Sequence, residues 1–331
     1  MAVEKYKALV VSERNGKFIR EIKERSLAGL PQNEVLIKVK YSSLNYKDAL
    51  SASGNRGITR NYPHTPGIDA AGTVINSKHK KICKGDKVLV TGFDLGMNTA
   101  GGFGQYISVP HEWVVKLPKG LTLKESMIYG SAGFTAALAF YELEKFGLSK
   151  KDEILVTGAT GGVGSLSVLL FAHEGYNVTA ATGKLQEESF LKKLGASKII
   201  NRSEVDDLSG RGLLSQRWGG AVDTVGGNVL STVIKSVKYG GFIAATGNVQ
   251  SSEFNGSVFP FILRSVNLIG INSERTDLKL RKKIWKKIGN EWKSSKIKHI
   301  YEEHSLEELP ALFDKILSGN IKGRILVTLY K

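Results

Sequence analysis

Glu153-Ile154-Leu155-Val156-Thr157-Gly158-Ala159-Thr160-Gly161-Gly162-Val163-Gly164 decides how this chain is read. A short β-branched run feeds a glycine-dense turn, and an apolar helical pattern (Val163, Leu166, Val168, Leu169, Leu170, Phe171) leaves it. Strand, glycine turn and helix in that order suit a dinucleotide pyrophosphate. Glycines let the backbone turn tightly and approach phosphates, and the free N–H groups of a helix start present partial positive charge. The glycines are spaced G-x-x-G-x-x-G rather than G-x-G-x-x-G, so the flanking strand and helix carry as much of the argument as the turn itself.

The next strand is expected at Tyr176-Asn177-Val178-Thr179-Ala180-Ala181. A site for NAD places a carboxylate near the end of that strand, about 20 residues past the glycine turn, on the adenosine ribose hydroxyls. Here the chain reads Thr182-Gly183-Lys184, and the third strand, Lys198-Ile199-Ile200, runs into Asn201-Arg202. A hydroxyl and two cations around one ribose suit a 2′-phosphate, which a carboxylate would repel. NADP(H) is the expected cofactor.

At 331 residues the chain exceeds a typical single core, which predicts two domains. No apolar run approaches the roughly 18 residues that span a bilayer. The first residues (Glu4, Lys5, Lys7, Glu13, Arg14) contain no apolar leader segment. With one cysteine, Cys83, neither an internal disulfide nor a cysteine-based zinc cluster can form. These features predict a cytoplasmic protein without a membrane partner. Forty-seven basic against 31 acidic residues leave a net charge of +16, which favours anionic ligands. Part of it lies in Arg281-Lys282-Lys283-Ile284-Trp285-Lys286-Lys287, followed by Lys293, Lys296 and Lys298. Ile284, Trp285 and Ile288 recur at helical spacing there, so an amphipathic helix with a solvated basic face is expected. No base-stacking motif accompanies it, and nucleic acid is not the expected partner.

Residues up to about 120 read as a β-rich unit, with strands at Lys5–Val11, Val35–Tyr41, Gly72–Ile75, Lys87–Thr91 and Phe103–Val109. From Leu121 helices alternate with short apolar strands (Val178–Ala181, Lys198–Ile200, Ala221–Asp223, Gly241–Ala245, Val266–Gly270), the pattern of an α/β doubly wound parallel sheet. A last helix and strand, Leu306–Leu317 and Ile325–Tyr330, are expected to return to the first unit.

The chain resembles the medium-chain dehydrogenase/reductase superfamily over essentially its whole length, and within it the zinc-independent quinone oxidoreductase branch. The similarity is strongest to the YhdH/YhfP-type quinone oxidoreductases and acryloyl-CoA reductases. It rests on Ser42-Ser43-Leu44-Asn45-Tyr46-Lys47-Asp48-Ala49-Leu50, Pro66-Gly67-Ile68-Asp69-Ala70-Ala71-Gly72-Thr73-Val74 and Gly130-Ser131-Ala132-Gly133-Phe134-Thr135-Ala136. Further matches are the glycine turn, Ala221-Val222-Asp223-Thr224-Val225-Gly226, and Pro260-Phe261-Ile262-Leu263-Arg264. The resemblance implies a GroES-like β-rich catalytic domain over residues 1–121, completed by 298–331, and a Rossmann dinucleotide-binding domain over 122–297. The zinc alcohol dehydrogenases carry a ligating cysteine where this chain has Asn45, and Gly-His-Glu where it has Gly67-Ile68-Asp69; their four-cysteine lobe is absent. Without those ligands a tetrahedral zinc is not expected.

By the same resemblance, Asn45 and Tyr46 sit beside the nicotinamide and are the catalytic candidates. Tyr46 would donate a hydrogen bond to the carboxamide or substrate, or deliver a proton; delivery from water is the alternative. Thr160, Gly161, Gly162, Val163, Gly164 and Ser165 match the pyrophosphate turn. Thr182, Gly183, Lys184 and Arg202 match a 2′-phosphate pocket. Gly247-Asn248, Ile262 and Ser273 match positions that flank the nicotinamide, and Asn320 and Arg324 a C-terminal cofactor contact. Asp223 matches a structural strand-end acid, and Asp48 is expected to brace its loop. His64, His79, His111, His173, His299 and His304 show no metal spacing and are expected at the surface or in loops.

The activity implied is NADPH-dependent reduction of an activated C=C bond, such as that of acryloyl-CoA or another short enoyl thioester. Hydride addition to such a bond builds charge on the thioester oxygen, which hydrogen-bond donors must hold, and the α-carbon then takes a proton. Quinone reduction is the competing enzymatic reading. A nucleotide-regulated RNA binder without turnover is a reading of another class, to which only the basic helix points. Relatives of this branch pair through the nucleotide-binding domain, and the apolar strands Gly241–Ala245 and Val266–Gly270 suit a homodimer edge.

Overall fold

The computed structural model describes residues 5–330. In chain order the elements begin with β1 (Lys5–Arg14), β2 (Lys17–Ser26), β3 (Val35–Leu44), α1 (Tyr46–Ala52), β4 (Asp69–Ser77), β5 (Lys87–Thr91), β6 (Tyr106–Val109) and β7 (Val115–Lys116). There follow α2 (Leu123–Lys145), β8 (Glu153–Val156), α3 (Gly162–His173), β9 (Asn177–Thr182), α4 (Glu188–Leu194), β10 (Lys198–Asn201), β11 (Trp218–Asp223), α5 (Gly227–Ser236) and β12 (Val237–Ala245). The chain closes with α6 (Phe259–Arg264), β13 (Asn267–Gly270), α7 (Leu278–Ile288), β14 (Tyr301–Ser305), α8 (Leu309–Leu317) and β15 (Arg324–Thr328).

These elements form two units, and each has its own core. One holds the residues up to Ser131, Glu274–Asn290 and those from Tyr301 on; the other holds Ala132–Ser273 and Glu291–Ile300. This division departs from the expected boundary at residues 122–131, 274–290 and 298–300. For 274–290 the reason is side-chain chemistry that periodicity does not reveal. Arg281 of α7 is buried and donates to the Thr91 carbonyl at the end of β5 at 2.8 Å, while its guanidinium lies 4.3 Å over the Phe93 ring. Arg281 therefore departs from the solvated basic face expected of its helix.

In the first unit a seven-stranded sheet runs β14-β15-β3-β4-β5-β7, with β6 also on β3. Its alternating residues (Ile37, Val39, Val88, Val90, Ile107, Val327) share a core with Phe313 of α8. The last strand does return here: β15 lies antiparallel to β3, Ile325 opposite Leu44. That register brings Arg324 level with Asn45, just past the end of β3. A hairpin, β1–β2, turns at Asn15-Gly16, both at positive φ. β2 was not expected, because its sequence KFIREIKERS is charge-rich and buries no residue fully. His64 lies in a loop, as expected, but is buried there, where its backbone bridges Val11.

The second unit is a six-stranded sheet in the order β10-β9-β8-β11-β12-β13, every neighbouring pair parallel. Its central strands are apolar on both faces, as a sheet covered by helices on both sides requires. The order reverses between β8 and β11, and in such sheets ligands sit outside the carboxyl ends of the strands at that reversal. Of the two late strands read as edges, β12 is interior and only β13 is at the edge.

Candidate active site

The glycine turn of the second unit joins β8 to α3 at the reversal point. Gly158 has φ +58°, where a side chain would be strained and its Cβ would meet Thr224 Oγ1 at 2.3 Å. A Cβ on Gly164 would lie 2.3 Å from the Gly158 carbonyl oxygen, so the helix can start this close to the strand only with glycine there. Gly161, Gly162 and Val163 stay half-buried, whereas Thr160, Gly164 and Ser165 are buried. Gly161 caps α3 without any side-chain bond to its first N–H groups. Free N–H groups at a helix start carry partial positive charge, which favours an anion there. Beside the turn Asp223 is buried, accepting from Thr157 Oγ1 at 2.7 Å and from the Gly226 N–H at 2.8 Å. Burial pushes its carboxyl above the usual range. With both oxygens engaged it ties two strand ends together, a structural task.

At the end of β9, Thr182 is buried and its hydroxyl accepts the Lys184 N–H at 3.0 Å; it lies 3.3 Å from Thr160 Oγ1. Arg202, exposed after β10, folds over Gly183. A Cβ on Gly183 would stand 3.0 Å from Arg202 Cδ and 3.1 Å from its Nε, so the glycine makes room for the guanidinium. Thr182, Gly183 and Arg202, with Lys184 adjoining, thus form one corner without a carboxylate at the strand end. Asn248, exposed past β12, and Ser273, past β13, also lie at the carboxyl ends of the sheet. Ser273 Oγ accepts from Thr135 Oγ1 at 2.7 Å.

Ile262 is placed elsewhere, and the expectation for it is corrected. It is 68% exposed on α6, and Arg264 two residues on fastens that helix to the Leu214 and Lys235 carbonyls at 2.7 and 2.8 Å. Those carbonyls precede β11 and β12, at the end of the sheet opposite the glycine turn.

In the first unit, the polar residues at the end of β3 form a buried cluster around Asp69. Its carboxylate accepts from Ser43 Oγ (2.6 Å), Asn45 Nδ2 (2.8 Å), Ser131 Oγ (2.6 Å) and the Ser131 N–H (2.9 Å), with the Arg324 guanidinium 3.8 Å away. Helix α2 breaks at Gly130 (φ 52°, ψ −157°), which turns the Ser131 N–H onto Asp69. No other residue fits, since a Cβ would meet Asp69 Oδ2 and Ser43 Oγ at 2.5 Å.

Arg324 is 3% exposed and donates to the Ile128 and Leu44 carbonyls, Asn45 Oδ1 and Ser43 Oγ at 2.8–3.3 Å. Burial lowers its pKa, opposed by Asp69 and Asp48. A guanidinium so fully bonded is an internal counter-ion, and the expected cofactor contact by its side chain is corrected. Asn45 is corrected likewise. Its Nδ2 serves Ser43 O and Asp69, its Oδ1 takes Arg324, and its backbone N–H meets Asp48 Oδ2 at 2.8 Å. Asn45 therefore has no amide donor left for a substrate oxygen and acts as the positioning residue at the start of α1. Asp48 does brace this loop, with its other oxygen on the Ile68 N–H at 2.8 Å. Burial, then the nearby Asp69, pushes Asp48 up to about 7.

The cluster leaves Tyr46, first residue of α1, 38% exposed. Lys47 beside it pairs with Glu274. Asn320 is exposed at the end of α8, its Nδ2 on Ser318 Oγ at 3.0 Å. Ser43, Asp69, Gly130 and Ser131 lie within the motifs that carry the family resemblance, but the sequence assigns them no task. The available signal was a lone charge, Arg324, opening an otherwise apolar strand, together with a glycine inside a helical pattern.

Residues 31–119 match the alcohol dehydrogenase GroES-like domain, and residues 162–286 match the zinc-binding dehydrogenase domain. The chain is 44% identical to the putative quinone oxidoreductase YhfP of Bacillus subtilis, over 93% of this chain and 94% of that protein. It belongs to the medium-chain dehydrogenase/reductase superfamily, in the YhdH/YhfP subgroup. The acrylyl-CoA reductase AcuI of Ruegeria pomeroyi is 42% identical over 97% of this chain and 98% of its own length. The crystal structure of Bacillus subtilis YhfP with NAD bound superposes with a TM-score of 0.96, at 42% identity over 99% of this chain and all (100%) of that one. That of the Salmonella enterica YhdH oxidoreductase in complex with NADP gives 0.95, at 39% identity over 98% and 100%. The two units described above are thus the GroES-like and Rossmann domains of this family. Despite the zinc-binding description of the second match, among the described residues no three His, Cys, Asp or Glu side chains gather where they could hold a metal ion. No helix among them is long and apolar enough to cross a membrane.

Proposed function

We propose that this protein is a cytoplasmic, zinc-independent, NADPH-dependent reductase of activated C=C bonds, acting on a short enoyl thioester such as acryloyl-CoA. The observation that carries the coenzyme choice is the Arg202 guanidinium laid over Gly183 beside the Thr182 hydroxyl, with no carboxylate at the end of β9. The similarity to AcuI supports the substrate class. NADPH, when bound, supplies the hydride. Thr160, Gly161, Gly162, Val163, Gly164 and Ser165 hold its pyrophosphate; Thr182, Lys184 and Arg202 hold the 2′-phosphate; Asn248 and Ser273 line the nicotinamide end. Tyr46 donates a hydrogen bond to the substrate carbonyl oxygen, where charge develops, and Asn45 keeps the start of α1 in place beneath it. Water delivers the proton to the α-carbon.

Two titrations and a turnover screen test this reading. NADPH is expected to bind at least tenfold more tightly than NADH, and equal affinity would overturn the coenzyme choice. NADPH oxidation with acryloyl-CoA is expected to exceed that with a soluble quinone. The reverse order would favour the quinone reading, which the similarity to YhfP supports.

The second unit also supports a homodimer. α6 and the loop before it expose Phe254, Val258, Phe259, Ile262 and Leu263 next to the unpaired edge β13. An apolar patch beside an open strand edge is what a second copy covers. Sedimentation should give twice the chain mass, and Phe259→Lys with Ile262→Lys should return it to one.

A further inference from the structure

Helix α7 contains five lysines and no acid, and its faces differ sharply. Arg281, Ile284, Trp285 and Ile288 are buried; Lys279, Lys282 and Lys286 are exposed and form no ion pair among the described residues. These three stand at i, i+3 and i+7, so they share one face and span about 10 Å of the helix axis. Asp277, the nearest acid in the sequence, is occupied in capping the helix, accepting the Lys279 and Leu280 N–H groups at 2.9 and 3.0 Å. The stripe is therefore an uncompensated line of cations.

Its placement within the first unit matters as much as its charge. Glu274 pairs with Lys47, the neighbour of Tyr46. The Glu274 carbonyl oxygen accepts from Arg281 at 3.0 Å and from the Phe93 N–H at 3.3 Å. The first turn of α7 is thus pinned to the segment that presents Tyr46, through contacts within the first unit. The stripe therefore lies on a helix tied, through its buried face, to the segment that carries Tyr46. A ligand reacting at Tyr46 with phosphates on a long flexible arm has an exposed line of cations on that same unit.

We infer that the Lys279–Lys282–Lys286 stripe docks the adenosine 3′-phosphate and diphosphate of a coenzyme A thioester. The inference rests on the thioester reading above and adds the surface that recognises the carrier. The pantetheine arm bridges from the phosphates to the acyl group. Exposed lysines act here as point charges, so the attraction is screened by salt and depends on the number of charges rather than on fine geometry.

The test combines binding without turnover and a comparison of substrates. Coenzyme A alone is titrated calorimetrically into the wild type and into the triple variant Lys279→Glu/Lys282→Glu/Lys286→Glu, whose fold is checked by its melting temperature. At low salt the variant is expected to bind at least tenfold more weakly, and added salt should narrow the gap. The ratio of kcat/KM for acryloyl-CoA to that for acryloyl-pantetheine, which lacks the nucleotide, should fall by tenfold or more. Equal coenzyme A affinity of the two proteins overturns the inference, as does an equal loss with both substrates. Tight binding of single-stranded RNA to the stripe that coenzyme A fails to displace also overturns it. Wild-type protein that binds coenzyme A but does not reduce acryloyl-CoA overturns the thioester reading instead, leaving the stripe as a coenzyme A site.

Discussion

The Asp69 cluster of the first unit and the Thr182–Arg202 corner of the second draw on the same chemistry: hydroxyls and a guanidinium arranged around one charge. They differ in access. Around Asp69 the donors named above all have partners inside the protein, and Arg324 is 3% exposed. At the corner, Arg202 is exposed and only packs along Gly183. A buried charge must be satisfied internally, because leaving it bare costs several kcal/mol. It is then unavailable to a ligand. An exposed cation beside a glycine keeps its donors for an incoming phosphate. The same residue types are therefore used up inside the protein in one place and left open to solvent in the other.

The largest test of this contrast is Arg324→Met. It leaves Asp69 and Asp48 without their buried counter-ion and should destabilise the protein by roughly 3–5 kcal/mol. Chemical denaturation reads that loss; a stable variant with weakened NADPH binding would instead make Arg324 a ligand contact. Next comes pH. Asp48 is raised from 3.8 to about 7 in the folded state, so between those values the native protein binds more protons than the unfolded chain. Stability should therefore fall as pH rises through that window, the reverse of a salt-bridged carboxylate. Melting temperatures across the window should show that slope in the wild type and a flatter one in Asp48→Asn, whatever the offset between them.

A smaller effect is expected at the open corner. Arg202→Ala removes a charge-assisted hydrogen bond worth about 1.5 kcal/mol at such an exposed site, or roughly tenfold in NADPH affinity. NADH affinity and melting temperature should not change; a large drop in melting temperature would show that the corner is structural too. Smallest is Tyr46→Phe. One hydroxyl donor lost should lower kcat/KM for the thioester by about tenfold, with NADPH affinity unaltered. A thousandfold loss would make Tyr46 the proton donor in place of water.

How much of this could be read from the chain differs between the two regions. The β8–α3 turn was legible because its signal is local: apolar strand, glycines at fixed spacing, apolar helix. The corner was legible too, since a strand end without a carboxylate and a nearby arginine are visible in the sequence. Arg324 was misassigned for a different reason. Whether an arginine is buried depends on β15 pairing with β3 in the register that sets Ile325 opposite Leu44. The task expected of Asn45 fails because its amide is taken up by Asp69 and Arg324, 24 and 279 residues away. Strand β2 was missed because its half-buried, charge-rich sequence shows no apolar alternation.

The sequence by itself determined the family, the parallel order of strands and helices, the glycine turn between β8 and α3 and the absence of a strand-end acid. Each of these is written in consecutive residues whose backbone preferences and polarity act over a few ångströms. Only the tertiary structure decided which charges are locked and which are open. Burial and hydrogen-bond saturation are properties of residues brought together from distant parts of the chain. That is why Arg281 and Arg324 became interior anchors, while Arg202 and three lysines of α7, Lys279, Lys282 and Lys286, remained exposed.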